Sequence, residues 1–485
     1  MENRIDNLDR ISALPDSILH HILSFMSLKQ AVRTSVLSKS WKETWHTCPI
    51  LVLGDFARAK EELKFIEQTL LNRHMEMISL RKLVISVSCF WNDPEFAALV
   101  DRCVCFAIGS NVKELKLQLP FFWGRYNLPQ IVFCAKSIDV LELYHCNLSR
   151  PRIGVQLSLR KLCLVGVCVD DQMIENLFAR CPLIEYLTIE SSKGFKSLEL
   201  FSLSELHEVE ISNNVELEKV EINALNVHSV TITDMQTCVI NIACYFSLLQ
   251  FLSIAYCRKL RSIKISSPSL KELVIIGSDL VEVKLETPNL SIFRFRGLPI
   301  SFTSNAMALS ETDLYISGST DIQDLVKYTK LLANVNQCSE VLNLHLRTGA
   351  VVIVPRECRQ ILHPLLCGVK HLNLLIGDDL LDFTIPELVD SLLWLSPHIE
   401  TISMSFHLGD SHKYSFQFSY KEQLIHEGKT PSCCQSLPIS CWQNCLEGVK
   451  IEHTATFFAR PAYRERFYFH DNIWNELNHL FLVEE

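Results

Sequence analysis

Cys433, Cys434, Cys441, Cys445 and His453 are the side chains of this 485-residue sequence best suited to a metal, since thiolate and imidazole are the usual zinc ligands. They lack the paired Cys-x-x-Cys spacing that gathers four donors around one ion, so no metal and no cofactor is expected. Cys358 stands near Arg356 and Arg359, whose charges favour a thiolate, but nothing nearby supplies a base, and a buried or idle thiol is the default. His470-Asp471 is an acid-base pair only as a dipeptide. The chain has no Gly-x-Gly-x-x-Gly turn, no Gly-Lys-Thr phosphate loop and no Gly-x-Ser-x-Gly elbow. A non-catalytic protein, acting through packing and charge, is the expectation.

The first element able to do such work lies between Asp9 and Trp45. Leu14, Ile18, Leu19, Ile22 and Leu23 fall on one stripe of a 3.6-residue period, and Pro15 and Asp16 suit a first helical turn. A second stripe follows at Leu28, Ala31, Val32 and Val36. Ser40 with Glu43 fits a capping box and opens a third helix carrying Trp41 and Trp45 on one face. About 40 residues is near the lower limit for burying enough surface to fold alone. The surplus apolar side chains therefore either cap the domain that follows or dock a partner.

The string Asp9-Arg10-Ile11-Ser12-x-Leu14-Pro15-Asp16-x-Ile18-Leu19-x-x-Ile22-Leu23-Ser24-Phe25, followed by Ala31-Val32-x-Thr34-Ser35-Val36-Leu37-Ser38-Lys39-x-Trp41, closely resembles the F-box of plant F-box/leucine-rich-repeat proteins. In that family the F-box docks on the small Skp-type adaptor of SCF ubiquitin ligases. Carried over by position, Leu14, Pro15, Ile18, Leu19 and Ile22 supply the first helix's share of the contact, and Val36, Leu37 and Lys39 the later share. Ser40 stands where many relatives have arginine.

Composition agrees with an intracellular binding protein. Formal charge is −9, without a basic block, which argues against nucleic acid as a ligand. The nineteen cysteines are scattered through apolar contexts such as Leu162-Cys163-Leu164, and most read as small core residues of a reducing compartment, with nucleus and/or cytoplasm expected. The opening residues Met1 to Asp6 lack the apolar stretch of a signal peptide, and no run approaches the ~20 apolar residues of a membrane span, so no membrane partner is expected. The sequons at Asn147 and Asn289 then carry no consequence.

From about residue 79 the pattern Leu-x-x-Leu-x-Leu recurs, first at Leu80/Leu83/Ile85, Val112/Leu115/Leu117, Ile138/Leu141/Leu143, Leu159/Leu162/Leu164 and Ile184/Leu187/Ile189. It then tightens, and from Leu260 through Leu270 and Leu280 to Leu290 it steps by ten residues. Two apolar residues separated by one position describe a short strand whose alternate side chains enter a core. Pro268 and Pro288 lie twenty residues apart with Gly277 between them, which predicts one coil of about twenty residues with two strand-like arms. Asp170 to Phe178 reads as a helix, which resembles the convex-side helix of leucine-rich repeats in the same plant proteins or else is an unrelated surface helix.

The residue between the paired apolar positions should point outward. It reads Glu210, Glu221, Thr231, Ser253, Lys264, Val274, Lys284, Arg294, shifting from acidic to basic. Glu210, Glu221, Lys264, Lys284 and Arg294 thus form a candidate partner-binding surface selecting by charge, or else an ordinary solvated sheet face. If two arms alternate, Lys264 and Lys284 share one face, Val274 and Arg294 the other.

The signature continues at Val341/Leu344/Leu346, Val369/Leu372/Leu374 and Ile399/Ile402/Met404, with a helix over Glu387 to Leu395. Cys441 to Ile451 resembles the opening of the FBD module of the same plant proteins, after which the likeness fails. The expected fold is α/β: a three-helix F-box (1–50), a helical linker (51–78), a leucine-rich-repeat solenoid with parallel strands and an irregular or helical convex side (79–405), a polar loop (406–440) and a divergent FBD-like segment (441–485). The resemblance implies a substrate-recognition subunit of an SCF ligase, joined through the Skp-type adaptor to a cullin, with the solenoid binding an unidentified target protein. The alternative is an F-box/leucine-rich-repeat interaction protein outside any ligase, or a small-molecule signal receptor.

Overall fold

The computed structural model describes residues 11, 14–26, 28–54, 66–69, 80–86, 94–120, 126–148, 155–201, 203–235, 239–242, 246–278, 280–298, 300–306, 309–316, 340–346, 352–354, 359, 366–377, 385–408, 412–420 and 446–455. The chain divides into two units, Met1–Ala243 and Cys244–Glu485.

The first unit opens with helices α1 (Asp16–Ser24), α2 (Leu28–Thr34) and α3 (Lys39–Thr47). Pro15 occupies the cap position of α1 with Asp16 in the first turn, where a carboxylate complements the dipole. Ser38, not Ser40, caps α3: its hydroxyl accepts a hydrogen bond from the Trp41 amide at 3.1 Å. The expected Ser40/Glu43 capping box does not form: α3 begins at Lys39, so the cap lies two residues earlier and Trp41 stands where a box would need a glutamate. Leu19, Leu23, Ala31, Trp41 and Trp45 are buried, so the two tryptophans share an inward face as their spacing required.

Alternating burial then builds a parallel ladder of eight strands: Ile50–Leu53, Lys82–Ser86, Glu114–Gln118, Val140–Tyr144, Lys161–Val165, Tyr186–Glu190, Glu208–Ser212 and Ser229–Thr233. Their register stacks Leu51, Leu83, Leu115, Leu141, Leu162, Leu187, Val209 and Val230 in one buried row. Helices Pro94–Gly109 and Asp171–Arg180 bury one apolar face each, the second capped by Asp170, whose carboxylate accepts from the Met173 amide. A second ladder joins Ser197–Leu200, Lys219–Ile222 and Val239–Ile242. The ladder thus starts at Ile50, within what the sequence suggested was F-box and helical linker; of residues 55–78 only 66–69 are described, and they are helical.

In the second unit the ten-residue step resolves into alternation between two ladders. Phe251–Ala255, Glu272–Ile276 and Ile292–Gly297 pair in one, and Ser262–Ser266, Glu282–Glu286 and Ser301–Ser304 in the other. One coil is therefore about twenty residues with two strand arms. Phe293 and Phe302, one from each ladder, stack at 4.8 Å across the core. The first ladder continues in parallel through Glu311–Ile316, Val341–Leu346, His371–Ile376 and Thr401–Leu408. His412–Tyr420 then pairs antiparallel with Thr401–Leu408, and Leu446–Ala455 with His412–Tyr420. The expected polar loop at 406–440 is overturned over 406–408 and 412–420, where alternation in His412-Lys413-Tyr414-Ser415-Phe416-Gln417-Phe418 makes a strand. Of the FBD-like segment, 441–445 and 456–485 lie outside the described residues.

Seven of the described coils turn in the left-handed region at the residue just past the first-ladder strand. His145, Gly166, Ser191, Asn213 and Asp234 in the first unit, and Tyr256 and Gly277 in the second, all have φ between 49° and 62°. Glycine is required where the preceding coil places a ring on the corner: a Cβ on Gly166 would lie 2.1 Å from the His145 ring, and one on Gly277 2.6 Å from the Tyr256 ring. Inside the corner, Asn214 accepts from the Ser192 amide and donates to the Ile189 carbonyl, both at 2.9 Å, satisfying backbone groups the turn would otherwise orphan.

Candidate functional site: an apolar face on the helical unit and the outward sheet faces

The helical unit also leaves large apolar side chains exposed outside its core. Leu14 is 37% exposed, Ile18 46%, Phe25 78%, Val36 87% and Leu37 71%. Single exposed apolar residues are ordinary, but several large ones on a short helical unit mark an interaction surface. Burying such a side chain against a partner is worth about 1.5–3 kcal/mol. Phe25, at the C-cap of α1, was not among the expected contacts, and Leu14 lies just before the helix that carries Ile18. Val36 does not extend the α2 stripe as its spacing suggested, because α2 ends at Thr34 and Val36 and Leu37 sit in the turn before α3.

Of the remaining expected contacts, Pro15 and Lys39 are exposed and Ile22 is half-buried. Leu19 is 0% exposed and is corrected: it belongs to the unit's own core and offers no surface to a partner. Alternate helix faces divide the stripe, Leu19 and Leu23 inward, Leu14 and Ile18 outward.

The expected charge column does not form one surface. Glu210 is exposed on the first ladder of the first unit between Thr188 and Thr231, whereas Glu221 lies on the second ladder, paired with Lys219 at 2.9 Å. In the second unit Lys264 and Lys284 are register neighbours on one ladder, facing Glu286 at 3.8 Å and Glu282 at 2.8 Å. Arg294 is on the other ladder, paired with Glu272. The outward position alternates between faces every ten residues, which splits the column.

A tighter cluster occupies the first unit's ladder. Glu142 accepts Lys116 at 3.0 Å and Lys161 at 2.8 Å, while Lys116 also lies 5.2 Å from the Tyr144 ring centre. Burial alone would raise the Glu142 carboxyl, but hydrogen bonds from Lys161 and Lys116 outweigh it and hold the group below its ordinary 4.5. Adjacent strands placed these groups together; their separation in sequence hid the cluster.

Reactive chemistry is not assembled among the described residues. Burial pushes the thiols of Cys103, Cys146 and Cys181 up to about 12, so they stay protonated. No group of three or more His, Cys, Asp or Glu residues there is placed to hold a metal, and no helix there is long and apolar enough to cross a membrane. Cys358 and the cysteines at 433, 434, 441 and 445 lie outside the described residues, as do His470 and Asp471, while His453 is in the last strand. Arg359 is engaged elsewhere: it donates to the Val354 carbonyl at 3.0 Å, Asp390 at 2.8 Å and Ser391 at 2.8 Å.

Comparison with known proteins matches residues 11–53 to the F-box domain and residues 70–246 to the At1g61320/AtMIF1 leucine-rich-repeat domain. The chain is 31% identical over 188 residues to F-box/FBD/LRR-repeat protein At1g13570 of Arabidopsis thaliana, covering 37% of this chain and 44% of that protein. It is 28% identical over 233 residues to F-box/LRR-repeat protein 25 of the same plant, covering 47% of this chain and 87% of the relative. With F-box/LRR-repeat protein At3g03360, also of Arabidopsis thaliana, it shares 29% identity over 224 residues, 44% of this chain and 45% of the relative. The chain thus spans less than half the length of two of these three relatives. It carries an F-box and a leucine-rich-repeat region, as the residue patterns indicated.

Proposed function

We propose that this chain is the substrate-recognition subunit of an SCF-type ubiquitin ligase. The exposed apolar side chains of Leu14, Ile18, Phe25, Val36 and Leu37 carry the reading: in an F-box unit that keeps its own core, they are what is left to dock a Skp-type adaptor. Through the adaptor the chain joins a cullin, while the solenoid holds a target protein. The chain supplies proximity rather than bond-making, raising the effective concentration of a target lysine near a ubiquitin-charged enzyme. We place the complex in the nucleus or cytoplasm, reducing compartments in which unpaired cysteines such as Cys103 and Cys146 persist.

Co-purification of the full chain with adaptor and cullin tests the assignment. Leu14→Ala, Pro15→Ala and Ile18→Ala combined should lose the adaptor. A Val36→Asp, Leu37→Asp variant, altering only exposed turn residues, should do the same with unchanged helicity and tryptophan fluorescence. Retention of adaptor by both variants would refute the site, and absence of cullin from adaptor-bound material would refute the ligase role.

A further inference from the structure

The outward face of the second unit's first ladder places Ile276, Arg296, Tyr315, His345 and Leu375 side by side, one from each of five consecutive parallel strands. At ~4.8 Å per strand the row is about 19 Å long, the reach of roughly six extended residues. Its centre is held by contacts within the row and from Asp313 on the same face. The Arg296 guanidinium lies 4.2 Å from the Tyr315 ring centre, Tyr315 stacks on His345 at 5.9 Å, and His345 Nε2 is 3.1 Å from Asp313 Oδ1. Below it, Asn373 donates to Asn343 at 2.8 Å and Asn343 to Glu311 at 3.0 Å, so the neighbouring polar groups already satisfy one another.

Arg296 differs from the cations named in the charge column. Lys264, Lys284 and Arg294 each face a glutamate, whereas Arg296 is exposed and its N–H donors meet no acceptor among the described residues. A guanidinium fixed by a ring and left without an anion is prepared for a planar carboxylate, because less side-chain freedom is lost on binding. Half-buried Ile276 and Leu375 flank it at the ends of the row, offering apolar contact on either side.

We propose that this row seats an extended acidic segment of the partner protein, with Arg296 binding the carboxylate of an aspartate or glutamate and Ile276 and Leu375 packing on apolar side chains flanking it. The inference rests on the receptor reading only in naming that partner as the ligase target; the binding chemistry is independent of the adaptor.

Fluorescence anisotropy on the full chain tests it with three labelled dodecapeptides that alternate leucine with glutamate, glutamine or lysine. The glutamate peptide should bind at least tenfold more tightly than the other two, and salt should weaken it. Arg296→Gln should lose that preference. Arg296→Lys, keeping charge without the planar fork, should recover it only in part, and Tyr315→Leu should weaken it by releasing the guanidinium. Equal binding of the glutamate and glutamine peptides, no binding of any peptide, or an unaltered Arg296→Gln variant would overturn the proposal. So would binding of a phosphoserine peptide in place of the glutamate one. Adaptor retention is measured on the same samples: Arg296→Gln should keep the adaptor. A chain that binds glutamate peptide through Arg296 but no adaptor would support this site while sinking the ligase assignment.

Discussion

Two kinds of residue decide how neighbouring coils of this solenoid fit. Gly277 combines φ of 55° with the Tyr256 ring lying where a Cβ would go. Gly277→Ala should therefore destabilise the second unit by about 1–3 kcal/mol, through backbone strain and displacement of the ring. Urea unfolding should show Tyr256→Ala recovering part of that loss in the double variant. Glu142 is the electrostatic counterpart. Its carboxyl is held below the ordinary value, so the folded state is favoured above the unfolded pKa and the contribution disappears as pH falls through the folded pKa. Glu142→Gln should lower stability at neutral pH, and its difference from the unaltered chain should shrink below about pH 4.3. The glycine was visible in the sequence as a turn marker, whereas nothing there said that Tyr256 would lie on it. Thr312 hid in the opposite way: it takes an inward apolar position between Phe293 and Leu342, so the repeat of Leu309, Thr312 and Leu314 breaks the pattern that reveals the others.

At the scale of elements, periodicity was a good guide to existence and a poor one to ends. Helices near Asp170 and Glu387 and the strands of the repeats form where apolar spacing put them, because a strand or helix with one buried face must repeat its apolar residues at 2 or 3.6. Ends depend on single hydrogen bonds. Ser38 and Ser40 are both good caps, and Ser38 holds the position because α3 starts at Lys39. Ser38→Ala should cost about 1 kcal/mol of F-box stability and Ser40→Ala only a few tenths, read from the thermal loss of tryptophan fluorescence. The antiparallel strand His412–Tyr420 escaped notice because a sequence stretch so rich in polar residues resembles a loop.

For the whole molecule, the consequence of a preserved core beneath an apolar surface is a dependence on company. Expressed alone, the full chain should self-associate through Val36 and Leu37, and Val36→Asp with Leu37→Asp should restore a monodisperse species in light scattering after gel filtration. The sequence by itself determined the two building plans, three amphipathic helices followed by coils of alternating strands, because both are local periodicities written in residue order. It also carried the F-box resemblance, borne by residues within a short stretch. Which apolar residues of that stretch are core and which are surface was decided only in the tertiary structure, where Leu19 turned inward and Leu14, Ile18 and Phe25 stayed out. The same holds for charge. Residues twenty or thirty apart become neighbours only when strands stack in register, so the apparent column from Glu210 to Arg294 separates onto different faces while Arg296, Tyr315 and His345 meet.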